Sequence, residues 1–121
     1  MALTVSQLFT PTQLAAAPTA PAVPAVLFSM PDATSQPGAV LKNGRVRLTN
    51  TSSAAVPVTL YAAAAAAASS AANCCMSAQS IQANSYIDID IPTLKAGDTL
   101  RGFAGTASVI TIHEMGGVLY S

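Results

Sequence analysis

The stretch Tyr86-Ile-Asp-Ile-Asp-Ile91 alternates apolar and charged residues at every step. That period of two puts Ile87, Ile89 and Ile91 on one face of a strand and Asp88 and Asp90 on the other. Working outward, Arg45-Val-Arg-Leu-Thr-Asn-Thr51 repeats the pattern, with Val46 and Leu48 inward and Arg45, Arg47 and Thr49 outward. Val56-Pro-Val-Thr-Leu-Tyr61 does so again through Val56, Val58 and Leu60, and Pro57 within it suggests an edge strand or a bulge. Val26–Met30, Thr99–Phe103, Ser108–Ile112 and Val118–Tyr120 read as further strands, separated by turn signals at Pro37-Gly38 and Ala96-Gly97-Asp98. Seven or eight short antiparallel strands at roughly ten-residue spacing predict an all-β chain, a single β-sandwich or jelly-roll-like domain. Its expected core is Val46, Leu48, Val58, Leu60, Ile87, Ile89, Ile91, Leu100, Ile110 and Ile112.

Two segments depart from this pattern. Six of the eight prolines precede residue 40, and Pro18, Pro21 and Pro24 are spaced by three within an alanine-rich run. Such spacing favours an extended polyproline-like path, so residues 1–25 are expected to form an N-terminal arm and 26–121 the sandwich. Leu3, Val5, Leu8, Phe9 and Leu14 cluster near the arm's tip as candidate partner contacts, the alternative being that they fold back on their own domain. The second segment, Ala62–Ala72, has high helix propensity between two strands. It reads as a long connection containing a helical turn.

Composition narrows the function. The 121 residues carry five cations, five anions and a net charge of zero, and only 8% are charged, roughly a third of the usual share. Scattered, balanced charge excludes a nucleic-acid groove or a polybasic membrane patch. A neutral surface favours self-association, and a body this small gains stability from partner subunits. No stretch reads as a signal peptide or a span, so a soluble protein made in a cytosol is expected.

Individual constellations carry little chemistry. Asp88, Asp90 and Asp98 offer too few oxygens for a hard cation and read as a solvated strand face. Cross-strand pairing of Arg45 and Arg47 with Asp88 or Asp90 is as good a reading as an acidic partner. His113-Glu114 has no nucleophile motif beside it, and Gly116-Gly117 reads as a bulge or turn. Cys74 and Cys75 are adjacent, which disfavours a disulfide and leaves two half-buried free thiols in a strand. No enzyme, cofactor, metal or small-molecule substrate is expected.

The segment Arg47-Leu-Thr-Asn-Thr-Ser-Ser-Ala-Ala-Val-Pro-Val-Thr-Leu-Tyr61 resembles a pattern of small tailed-bacteriophage virion proteins. Leu3–Leu8, Leu27–Pro31, Ser80–Ser85 and Leu94–Leu100 are similar to other parts of that family. The alanine run and Cys74-Cys75 replace its usual Gly/Ser-rich hairpin, and the Pro/Ala tether is longer than usual. The resemblance implies a virion structural protein without enzymatic activity. Within that class the expectation is a capsid decoration (cement) protein, assembled in the host cytoplasm and bound to the outer capsid surface. Its expected partners are the major capsid protein and its own copies, as a homotrimer on local three-fold axes, with no nucleic acid or membrane. A tail or head–tail joining component is the alternative. A carbohydrate-binding fibre module is a third reading, weakened by the missing tryptophan.

Overall fold

The computed structural model describes residues 3–4, 11–16, 25–32, 34, 36, 38–64 and 68–120. Ten strands lie among them, of which β1 (Leu3–Thr4), β2 (Thr12–Gln13) and β8 (Leu94–Lys95) are two residues long. The seven longer ones are β3 (Ala25–Ser29), β4 (Val40–Asn50), β5 (Val56–Ala64), β6 (Cys74–Ile81), β7 (Tyr86–Asp90), β9 (Asp98–Ala104) and β10 (Ile110–Tyr120). They form two antiparallel sheets, as the all-β reading requires. The first has the order β1-β10-β4-β7, with β2 also on β10 and β8 also on β4; the second has the order β3-β9-β5-β6.

Side-chain alternation builds the core between the sheets. Leu41, Val46, Leu48, Ile110 and Ile112 come from the first sheet; Val56, Val58, Leu60, Ile81, Leu100 and Ala104 come from the second, all at most 2% exposed. Each large one removed from water contributes roughly 1.5–3 kcal/mol before ordering costs. Ile91 joins them, whereas Ile87 and Ile89 are only half-buried against the core rim because β7 is the sheet's edge. Gly102 points into this core on β9, where a Cβ would collide with Leu60 and lie 2.7 Å from the Thr59 carbonyl oxygen.

Asn50 joins the layers. It is fully buried, its Nδ2 donates to the carbonyls of Ala54 (2.8 Å) and Ile81 (2.9 Å), and its Oδ1 accepts from the Ser52 amide (2.9 Å) and hydroxyl (2.7 Å). One side chain therefore fixes the crossing from β4 to β5 and ties it to the end of β6.

Several expectations change. Pro57 lies not on an edge but on β5, a central strand of its sheet; it is tolerated as the second residue, opposite Gly105, one residue past the end of β9. Gly105 there donates to the Pro57 carbonyl at 2.8 Å. The alanine run is partly strand: Ala62, Ala63 and Ala64 pair with Leu100, Thr99 and Asp98 of β9. Sheet pairing overrides alanine's helix propensity here. Among the described residues the helical structure is one 3-10 turn, Ala71–Asn73, closed by reciprocal bonds between Ser70 and Asn73. The two expected C-terminal strands are a single β10, whose register shifts around Met115–Gly117 absorb the Gly-Gly pair as a bulge. At Gly117, φ is +147° and a Cβ would stand 3.1 Å from the Gly44 Cα, so glycine is required there.

Candidate functional site

The two outer faces of the sandwich differ in chemistry. On the first sheet, cross-strand register places Arg45 opposite Asp90, Arg47 opposite Asp88, and Thr49 opposite Tyr86. Arg47 donates to Asp88 through two nitrogens, at 2.8 and 3.0 Å, and its guanidinium carbon sits 4.0 Å above the Tyr86 ring centroid. The hydrogen bond from Arg47, outweighing desolvation, holds the Asp88 carboxyl below the usual aspartate range. Arg45 and Asp90 stand 3.6 Å apart and largely in solvent, a contact of little energetic weight. His113 faces Arg47 from the other side of β4. The cross-strand reading of these charges is therefore the observed one.

The second sheet is almost without charge. β3, β5 and β6 contain no Asp, Glu, Lys or Arg, and β9 contributes only Asp98 and Arg101. Arg101 is 4% exposed: its Nε donates to the Thr99 hydroxyl (3.1 Å) and a terminal nitrogen to the Ala64 carbonyl (3.3 Å). The Thr99 hydroxyl in turn donates to the Ala63 carbonyl at 2.8 Å. The outward positions are Val26, Pro57, Thr59, Tyr61, Thr99, Arg101 and Phe103, with Arg101 cross-strand from both Val26 and Tyr61 and the Tyr61 and Phe103 ring centroids 6.3 Å apart. Val26 is 52% exposed. Arg101, Thr59 and Thr99 are covered on this face, so what the solvent meets there carries no exposed charge.

At the β6 edge, Tyr61, Ala71, Cys74, Cys75, Met76 and Ser77 line an open cleft of about 410 Å³. β6 slips register twice against β5, at Ala78 (φ +46°) and at Cys75, which blunts it as an edge for further pairing. Both cysteines are free thiols. Desolvation of the sulfur, then the neighbouring Cys74, raises the Cys75 pKa even though the residue is exposed. Among the described residues no three His, Cys, Asp or Glu side chains group as a metal site.

Of the candidate partner contacts, Val5, Leu8 and Phe9 lie outside the described residues. Leu3 belongs to β1, paired with Tyr120. Leu14, expected on a partner surface, instead lies in the sandwich core at 1% exposure. The cause is its backbone: Leu14 N–H donates to the Ile110 carbonyl at 2.8 Å, its carbonyl accepts from Ser108 at 3.0 Å, and Ala15 accepts from Ala104 at 2.9 Å. Residues 14–15 thus bridge both sheets, and the leucine drops between them. Residues 11–16 belong to the body, while the proline-rich 17–24 lies outside the described residues.

The neutral face was missed in the sequence because each of its residues is unremarkable alone. Its signal was present as an interval: no charged residue occurs between Arg47 and Asp88. No protein family, curated protein or solved structure matches this chain.

Proposed function

We propose that this chain is a virion structural protein of the capsid decoration type, attached to the outer surface of a phage capsid through its neutral sheet. The observation that carries this reading is the asymmetry of the sandwich. A protein that coats a shell needs one face that gives up water cheaply and one that keeps the particle soluble. β3, β5 and β6 supply the first with no charge of their own and the Arg101 of the intervening β9 buried, and the Arg47–Asp88 and Arg45–Asp90 ladder supplies the second. The resemblance of Arg47–Tyr61 to small phage virion proteins gives the class, and the major capsid protein is the partner it implies. The chain is near neutral overall, which permits copies to crowd on a surface.

The test is an image of virions bearing a label on this chain. Label spread over the head supports decoration. Label confined to the tail or the head–tail junction replaces this reading with a joining component, and absence of label from particles rejects a virion role.

A further inference from the structure

We propose that Cys74 and Cys75 form a dithiol chelate for one soft metal ion of low coordination number, monovalent copper, on the outer side of the β6 edge. This goes beyond the capsid reading and does not depend on it. Successive residues of a regular strand point to opposite faces, and adjacent cysteines so placed could not share an ion. β6 is not regular at this point. Met76 pairs with Leu60 and Cys74 with Tyr61, so Cys75 is an extra residue that β5 does not match. Leu60 is fully buried and Met76 packs against the core, which turns Tyr61 outward on β5 and Cys75 outward on β6. Cys74 shares the outward side of its partner Tyr61. The bulge therefore cancels the alternation for this one pair and aims both thiols to the same side.

The pair is held and open to solvent. The 3-10 turn Ala71–Asn73, closed by Ser70 and Asn73, ends at Cys74, and the Cys74 Sγ reaches past Cys75 to donate to the Met76 carbonyl at 3.4 Å. That weak bond is easily given up to a metal. Both cysteines are free and line one open cleft with Tyr61, and Cys75 is exposed, so an ion enters directly. After desolvation, Cys74 is the group that raises the Cys75 pKa, as a sulfur close enough to repel a second thiolate does.

The donor set selects the ion. Among the described residues no Asp, Glu or His lines the cleft, so a hard cation finds no carboxylate there. Zinc would find two thiolates where its structural sites use four ligands. The Met76 side chain is turned to the core and adds no third sulfur. Two thiolates alone suit a soft ion content with few ligands, which among biological metals is monovalent copper. Binding breaks both S–H bonds, forms two Cu–S bonds and releases two protons to solvent. Tyr61 is the other titratable side chain lining the cleft, and it stays protonated at neutral pH.

A competition titration tests the chelate. The full chain, reduced and kept from oxygen, is titrated with monovalent copper against a chromogenic copper chelator whose own affinity does not change with pH over the range used. Cys74→Ser, Cys75→Ser and the double variant are titrated beside it. Serine replaces exposed or half-buried sulfur at similar volume, so the variants should keep the far-ultraviolet spectrum of the wild type. Chelation predicts one ion per chain, sedimentation unchanged by the metal, and a loss of about tenfold or more in each single variant, because the second thiolate no longer binds intramolecularly. Between about pH 6 and 7, where both thiols are protonated, wild-type affinity should rise about a hundredfold, two protons leaving per ion, and that of a single variant about tenfold. A wild type that surrenders copper as readily as the double variant overturns the proposal. So does a single variant with full affinity, or an ion that joins two chains.

Discussion

Asn50 is the residue on which the joint between the sheets depends. Alanine there removes both donations and both acceptor interactions, leaving the Ile81 carbonyl without its buried side-chain partner, while the Ala54 carbonyl keeps the Ser52 hydroxyl at 2.9 Å. Asn50→Ala should cost about 2–4 kcal/mol in urea unfolding, well above a surface change. Asn50→Asp keeps the shape but loses both donations and buries a charge, so it should be at least as damaging. The paired charges of the outer face separate by the same logic. Arg47 lowers the Asp88 pKa in the folded state, so its contribution is present above the unfolded value of about 3.9. That contribution is lost as pH falls through the lower folded value. Urea midpoints followed into acid should therefore decline less steeply for Asp88→Asn than for the wild type. Asp90→Asn, which removes only an exposed contact, should leave the curve nearly unchanged.

At the scale of elements, burial along β4 and β7 sets different costs for similar truncations. Leu48, fully buried on a central strand, should lose about 2–5 kcal/mol as Leu48→Ala, and Ile89, half-buried on the edge, less than about 2 kcal/mol as Ile89→Ala. Equal losses in urea titrations would mean that β7 packs as deeply as β4. Gly117→Ala forces a side chain into a positive-φ bulge against Gly44, and should cost about 1–3 kcal/mol. These elements also show what the sequence could disclose. Arg45–Thr51, Val56–Tyr61 and Tyr86–Ile91 were legible because a half-buried strand writes its two faces as alternating residues. Ala62–Ala64 were not, since alanine's local preference is helical and only the partners on β9 make them strand. β6 was hidden too: its double bulge breaks the period, and most of its residues face solvent. Leu14 was read as a tip contact because nothing local reveals that its flanking amide and carbonyl groups bond to residues near the far end of the chain.

For the whole molecule, the decisive property is that the exposed cross-strand ion pairs lie on the outer face of one sheet. Lys42, Arg45 and Arg47 are on β4 and Asp88 and Asp90 on β7, while the opposite outer face offers Val26, Pro57, Tyr61 and Phe103 to solvent and keeps Arg101 buried. Removing residues 1–16 tests how far the N-terminal segment belongs to this body. With Leu14 gone, a core side chain and the bonds at one end of both sheets go with it, so the truncated chain should lose at least about 2–5 kcal/mol in urea unfolding. The central claim, attachment through the neutral sheet, is tested most directly by adding back protein to particles that lack it and measuring occupancy. Val26→Asp puts a charge at an exposed position of the neutral face, and Arg45→Glu reverses one at an exposed position of the charged face; neither disturbs the core. Occupancy at equal concentration should fall about tenfold or more for Val26→Asp, the effect of roughly 1.4 kcal/mol of lost binding, and stay near wild type for Arg45→Glu. Full occupancy by Val26→Asp, or loss confined to Arg45→Glu, would contradict the account.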